Sequence, residues 1–162
     1  MTLKPLPLIR PQEHERYEIN SVEDAINEYS DARRAECRVD GRKIKTFDSV
    51  TYKAPIGRCY SIIAKDCARK SFVVLMKTLD EETDAKNIKI VTAKRTIEVE
   101  LIRQKLIVKV NGEKATDEER LNEYNIDYSE DLVRVMLSEG VSIRFNGKQA
   151  TVKLSNYYKN AQ

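Results

Sequence analysis

The chain has 162 residues, 41% hydrophobic and 34% charged, with a formal net charge of +3, a globular balance in which ~70% of the unfolded surface can be buried. That length sets one domain, or one domain plus an arm, as the expectation. So small a charge gives weak grounds for a nucleic-acid partner, and no specific one is expected; no run approaches the ~18 apolar residues of a membrane span, and MTLKPLPLIRP is too broken by proline to be a signal-peptide core.

Residues 1–19 read as an extended arm, because Pro5, Pro7 and Pro11 remove backbone donors and push their predecessors out of the helical region. Ser21 followed by Asp24 suits a helix start, and Val22, Ala25, Ile26, Tyr29 and Ala32 recur at helical spacing. A helix is therefore expected over about 21–35.

From Cys37 the period changes to two. Ile44, Cys59 to Ala64 and Phe72 to Met76 are strand-like, with Pro55-Ile56-Gly57 as a turn between the first two. Further strands are expected over 88–92, 95–101, 105–110, 132–137, 141–145 and 149–154. Asn111-Gly112 and Asn146-Gly147 both carry the type I′ hairpin signature, in which both central residues need positive φ. Thr116-Asp117-Glu118-Glu119 suits a capping box before one helical turn. Short strands punctuated this way, without helical crossovers, predict an all-β antiparallel sandwich or open barrel with one N-terminal helix and a short helical turn.

Charge is unevenly placed. Residues 33–45 hold six basic side chains (Arg33, Arg34, Arg38, Arg42, Lys43, Lys45) against Glu36 and Asp40, while residues 113–131 hold eight acidic groups against Lys114 and Arg120. The basic run is a candidate anionic-surface site, for heparin-like polymer, lipid headgroups or nucleic acid. Simple alternation explains it at least as well, since Lys43 and Lys45 point outward where Ile44 points inward.

All three cysteines, Cys37, Cys59 and Cys67, fall within thirty-one residues. That grouping suits a disulfide-pinned hairpin region from an oxidising compartment; in a secreted protein the odd count would place at least one partner outside the chain, whereas in a cytosolic one three buried thiols need no partner. Catalytic readings lack parts. The single histidine, His14, sits in the proline-rich arm beside Glu13 and Glu15, so a Ser-His or Cys-His dyad would need the arm to reach the core. Cys59 and Cys67 have no second pair at zinc-ligand spacing, and the five glycines are scattered rather than gathered into a phosphate loop. The expectation is a protein that is not an enzyme.

Cys37-x-Val39-x-Gly41, Thr46-Phe47-Asp48 with Tyr52, Gly57-x-Cys59-Tyr60 and Ala64-Lys65-Asp66-Cys67 stand in an order that resembles the opening of a von Willebrand factor type D domain. Ile62 to Cys67 followed by Ser71-Phe72-Val73-Val74-Leu75-Met76-Lys77 resembles the version found near the C-terminus of vitellogenins, the yolk lipoproteins. The resemblance implies residues 1–36 as a connecting segment and 37–162 as the domain, incomplete at its C-terminus. It implies a β-sandwich in which Cys37, Cys59 and Cys67 pair with downstream cysteines, two of them in a Cys-Gly-Leu-Cys-Gly motif absent here. A bridge between Cys59 and Cys67 is the alternative if their Cα atoms come within ~7 Å. Asp48 matches a position that contributes to a calcium site in some relatives. One carboxylate cannot supply the six to eight oxygens calcium takes, so no cofactor is expected within these residues and calcium only in a complete domain; a turn-capping role suits Asp48 better.

The resulting expectation is a structural or recognition module of a secreted yolk-storage and lipid-transport protein, found in hemolymph or plasma and in oocyte yolk. Its partners would be the remainder of the parent lipoprotein and a receptor, a microbe or an anionic surface. Two other classes stand beside it: a binding module for anionic or microbial surfaces using Arg33, Arg34, Arg38, Arg42, Lys43 and Lys45, and part of a hemolymph clotting protein.

Overall fold

A computed structural model describes residues 35–115 and 117–154. The expected arm and His14 lie outside the described residues, as does the expected helix except for Ala35, whose carbonyl accepts from Leu154 N at 2.9 Å. No helix of the described chain is long and apolar enough to cross a membrane.

Thirteen strands form two antiparallel sheets. The chain begins in the middle of the first sheet with β1 (Glu36–Asp40), β2 (Lys43–Lys45) and β3 (Thr51–Lys53). It then crosses to build the whole second sheet as a meander: β4 (Ser61–Lys65), β5 (Phe72–Asp80), β6 (Ala85–Thr92), β7 (Thr96–Ile102), β8 (Lys105–Val110) and β9 (Glu113–Lys114). A short helix α1 (Glu118–Glu123) returns it to the first sheet, completed by β10 (Ile126–Tyr128), β11 (Val133–Leu137), β12 (Val141–Phe145) and β13 (Gln149–Lys153). The first sheet runs β10-β11-β12-β13-β1-β2-β3, so its last strand pairs with its first.

Alternation decides which face each strand buries. Phe72, Val74 and Met76 on β5, Ile97 and Val99 on β7, and Leu106, Val108 and Val110 on β8 all point inward. They meet Cys37, Val39, Val135, Ile143, Phe145 and Val152 of the opposite sheet in one apolar cluster. The cluster makes the molecule a sandwich. Neither sheet closes on itself, so no closed barrel forms.

Turn chemistry agrees with expectation at Asn111-Gly112, where φ is +52° and +87°. It differs at Asn146-Gly147. There Gly147 alone is positive, at φ +89°, and Asn146 N donates to Gln149 O, so Gly147-Lys148 is the central pair and the pattern is that of type II′. The carboxamide of Asn146 is the reason, because its Oδ1 accepts from Lys148 N at 3.0 Å and Gln149 N at 2.7 Å. A Cβ on Gly147 would stand 3.1 Å from Leu101 Cδ1, so the glycine also permits close approach. Arg103 and Gln104 both take positive φ without any glycine, which is why that hairpin carried no turn signal.

The helix starts one residue later than the expected capping box implies. Asp117 is its N-cap, accepting from Glu119 N at 3.2 Å, and Thr116 lies outside the described residues.

Candidate functional site

The cysteine-bearing region spans both sheets. Cys37 faces the core from β1, is 3% exposed, and its Sγ reaches Ile63 O at 3.5 Å across to β4, where the pairing with β5 shifts register. Burial, seconded by the Glu36 charge, pushes its thiol up to about 11. It is therefore protonated and inert as a nucleophile at neutral pH. Cys59 and Cys67 are exposed, and all three thiols are free in the structure, with no bridge between Cys59 and Cys67. Native alkylation with iodoacetamide at pH 7.5 should label Cys59 and Cys67 and spare Cys37, while denaturation should expose the third. Intact-mass measurement reads this directly, and three labels on the native protein would contradict the buried placement of Cys37.

Asp48 sits in the exposed turn between β2 and β3. Its Oδ1 accepts from the Thr46 hydroxyl, whose oxygen also lies 3.1 Å from Val50 O, and Ser49 takes φ +66°. The Thr46 hydroxyl, followed by the backbone N–H of Asp48 itself, holds the carboxyl below its ordinary value. These are the contacts of a turn-capping carboxylate. Among the described residues, no three His, Cys, Asp or Glu side chains converge as a metal cluster.

A second carboxylate in the same region does more structural work and carried no sequence signal beyond its place in Ala64-Lys65-Asp66-Cys67. Asp66 is 4% exposed and gathers four donors: Ala68 N and Arg69 N at 3.1 Å on Oδ1, then Ser71 N at 3.2 Å and Ser71 Oγ at 2.8 Å on Oδ2. It closes the β4–β5 connection, in which Cys67 is carried. Burial alone pushes this carboxyl up, but the donors from Arg69, Ser71 and Ala68 outweigh that and leave it below its ordinary value. A depressed folded-state value stabilises above the unfolded carboxyl's value and is lost as pH falls through the folded one, so Asp66 should contribute to stability loss below about pH 4. Asp66→Ala should cost about 2–3 kcal/mol at pH 7 and flatten that acid limb, measured by urea unfolding at several pH values. An unchanged acid limb would exclude Asp66 as its source.

Of the basic candidates, Arg38, Lys43 and Lys45 point outward from β1 and β2, Ile44 between the lysines is buried, and Arg42 is exposed in the intervening turn. Arg33 and Arg34 lie outside the described residues. Register adds cations that are distant in sequence. Arg38 pairs with Lys45 on one side and Thr151 on the other, Thr151 pairs with Arg144, and Arg144 with Arg134. Lys43 pairs with Lys53. Directly opposed residues share a face, so these side chains form one outward cationic surface. Of the acidic segment, Asp127 stands opposite Arg134 at the edge of this face, while Glu130 pairs with Lys105 at 2.8 Å on the other sheet.

The outward face of the second sheet is neutralised internally. Lys89 pairs with Glu98 at 2.6 Å and Lys109 with Glu100 at 2.8 Å, while Lys77 and Lys89 stand 4.8 and 5.7 Å from the Tyr60 ring centre. A cleft of about 550 Å³ lies beside Phe72, Thr92, Tyr124 and Met136, with the Arg95 guanidinium 4.7 Å from the Tyr124 ring. Its lining mixes apolar and polar groups.

The von Willebrand factor type D domain model matches residues 37–162. The chain belongs to this family. Its type D domain is similar to segments of nematode vitellogenins. Vitellogenin-6 of Caenorhabditis elegans is 36% identical over 155 residues, 91% of this chain and 9% of the relative. Vitellogenin-6 of Oscheius tipulae is 32% identical over 145 residues, 89% of this chain and 9% of the relative. Vitellogenin-5 of C. elegans is 37% identical over 115 residues, 70% of this chain and 7% of the relative. The chain thus spans about a tenth or less of the length of the relatives it matches. The motif series from Cys37 to Lys77 that carried the resemblance maps onto β1 to β3, the crossing segment that follows and the β4–β5 hairpin of the type D domain.

Proposed function

We propose that this type D domain is a non-catalytic structural and recognition module of a secreted, vitellogenin-like protein that stores yolk and carries lipid. The observation that carries the reading is the match to vitellogenins along 91% of the chain. The sandwich supports it: the described interior is one cluster of packed apolar side chains, and the buried thiol of Cys37 is held protonated. In this reading the lipid cavity lies elsewhere in the parent, the domain packs against that body, and its outward faces are left to meet other partners. The flanking residues 1–36 act as the connecting segment, and the three cysteines as sites for bridges made with cysteines beyond this chain.

An antibody raised against the folded domain tests the assignment. It should detect a large polypeptide that floats with lipid at lipoprotein density in body fluid and that accumulates in oocytes. Detection only in a lipid-free fraction, or only within cells that do not store yolk, would reject the reading.

A further inference from the structure

We propose that the outward face of the seven-stranded sheet is a binding surface for a linear sulfated polysaccharide, held by Arg134, Arg144, Arg38 and Lys45 in one row and by Lys43 and Lys53 beside it. The proposal goes beyond the yolk reading and stands on this face alone.

The row is set by backbone pairing. Arg134, Arg144, Thr151, Arg38 and Lys45 are consecutive partners on β11, β12, β13, β1 and β2. At ~4.8 Å per strand the row is about 19 Å long. Two directly opposed pairs on it are cation facing cation, Arg134 with Arg144 and Arg38 with Lys45, and Lys43 with Lys53 makes a third beside it. Opposed like charges cost stability, so three on one face are not a folding device. Among the described residues none of these six side chains forms an ion pair. The carboxylates on the face are Glu36, Asp40 and Asp127: Glu36 lies 4.0 Å from Lys153, Asp40 is opposed to Lys43 and accepts from Gln149 Nε2 at 2.8 Å, and Asp127 is opposed to Arg134 at the end of the row, so three carboxylates stand against the six cations and Lys153. The face is short of acceptors in a further way. Arg144 Nε, packed against the sheet, is the one buried side-chain polar atom among the described residues with no hydrogen-bond partner. A polyanion would relieve both the repulsion and the missing acceptors.

The residues between the cations select the kind of polyanion. They are Thr151, Gln149, Ser142 and Thr51, whose hydroxyls and amide suit sugar hydroxyls and ring oxygens. Nucleic acid is disfavoured, because among the described strand residues none that points outward from this sheet is aromatic. A membrane is disfavoured because insertion needs apolar side chains among the cations, and among the described strand residues of this face only Met136 at its margin is apolar, 38% exposed. Arginine supplies the planar fork that pairs bidentately with an oxyanion. The contrast with the other sheet is internal evidence: there every cation in the central rows has a glutamate or a ring.

The test is titration of the 162-residue chain with a heparin oligosaccharide at 0.15 M salt, with desulfated heparin and phosphatidylserine vesicles as comparisons. Binding should weaken steeply with added salt. Arg134→Gln with Arg144→Gln should weaken it roughly tenfold, and Arg38→Gln with Lys45→Gln by a similar factor, each removing two charge-assisted contacts. Lys94→Gln with Lys114→Gln removes the same charge from the other sheet and should leave affinity within about twofold. Both row variants should melt at or above the parent, because opposed cations are relieved; if one fails to fold, the other gives the same reading. Absence of binding, equal affinity for desulfated heparin, row variants that bind like the parent, or tighter binding to the vesicles would each overturn the proposal.

Discussion

Phe145→Ala should lower unfolding stability by about 3–5 kcal/mol, the range for removing a ring from a core that relaxes only partly. Phe145 is 1% exposed and closes the inner face of β12 against the shared cluster, next to the tight hairpin at Gly147. For a sandwich of this size that is a fall in melting temperature on the order of 10–20 °C. Calorimetry or urea unfolding of the 162-residue chain checks it. A loss under about 1 kcal/mol would mean the two sheets do not share one interior. Phe145→Leu retains most of the volume and should cost much less.

The second large effect concerns a buried charge. Lys86 is an inward-pointing residue of β6, 1% exposed, whose Nζ bonds the Asp84 carboxylate and also Asp84 O at 3.1 Å. Its backbone N–H donates to Gly147 O at 2.8 Å, tying the second sheet to the β12–β13 hairpin of the first. Asp84→Asn keeps a residue tolerant of the φ of +56° seen there but leaves the ammonium without its counter-charge. The expected cost is about 2–4 kcal/mol, below the full penalty for breaking a buried pair because the Asp84 side chain is 42% exposed. Lys86→Met should instead be near neutral or stabilising by about 1 kcal/mol, since an apolar chain of similar length replaces a desolvated charge. The double variant should recover most of the loss, and urea unfolding of all four proteins isolates the coupling. If Asp84→Asn costs nothing, Lys86 does not depend on this carboxylate.

The second sheet was largely legible, and for a local reason. It is a meander of hairpins, each strand pairing with the next, so alternation and a turn residue suffice to describe it. Ile97, Val99 and Leu101 against Leu106, Val108 and Val110 read as two strands, and Asn111-Gly112 as the following turn, as found. The failures are where side chains took over backbone roles. Lys86 and Asn87 broke the apolar pattern, so β6 was expected to start at 88, yet both are buried; Asn87 Oδ1 accepts from Leu101 N at 3.1 Å in place of a ladder bond. Strands of two or three residues, β3, β9 and β10, carry too few alternations to register. Asp66 looked like any charged turn residue because its worth lies in four donors that converge only when the loop closes.

By itself the sequence determined the all-β class, most strands of the meander, the inward set of apolar residues and the family, through an ordered series of motifs within Cys37–Lys77. These rest on spacing between near neighbours, which the chain states directly. Only the tertiary structure decided that β1 lies beside β13, a pairing that brings Asp40 and Gln149 together across 109 residues, and that the sheet so closed sets Arg38 and Lys45 in one row with Arg144 and Arg134. A basic run read along the chain is an ordinary solvated face. The pairing of distant strands is chosen by burial of their common inner side, and the charges on the outer side are carried into register by that choice.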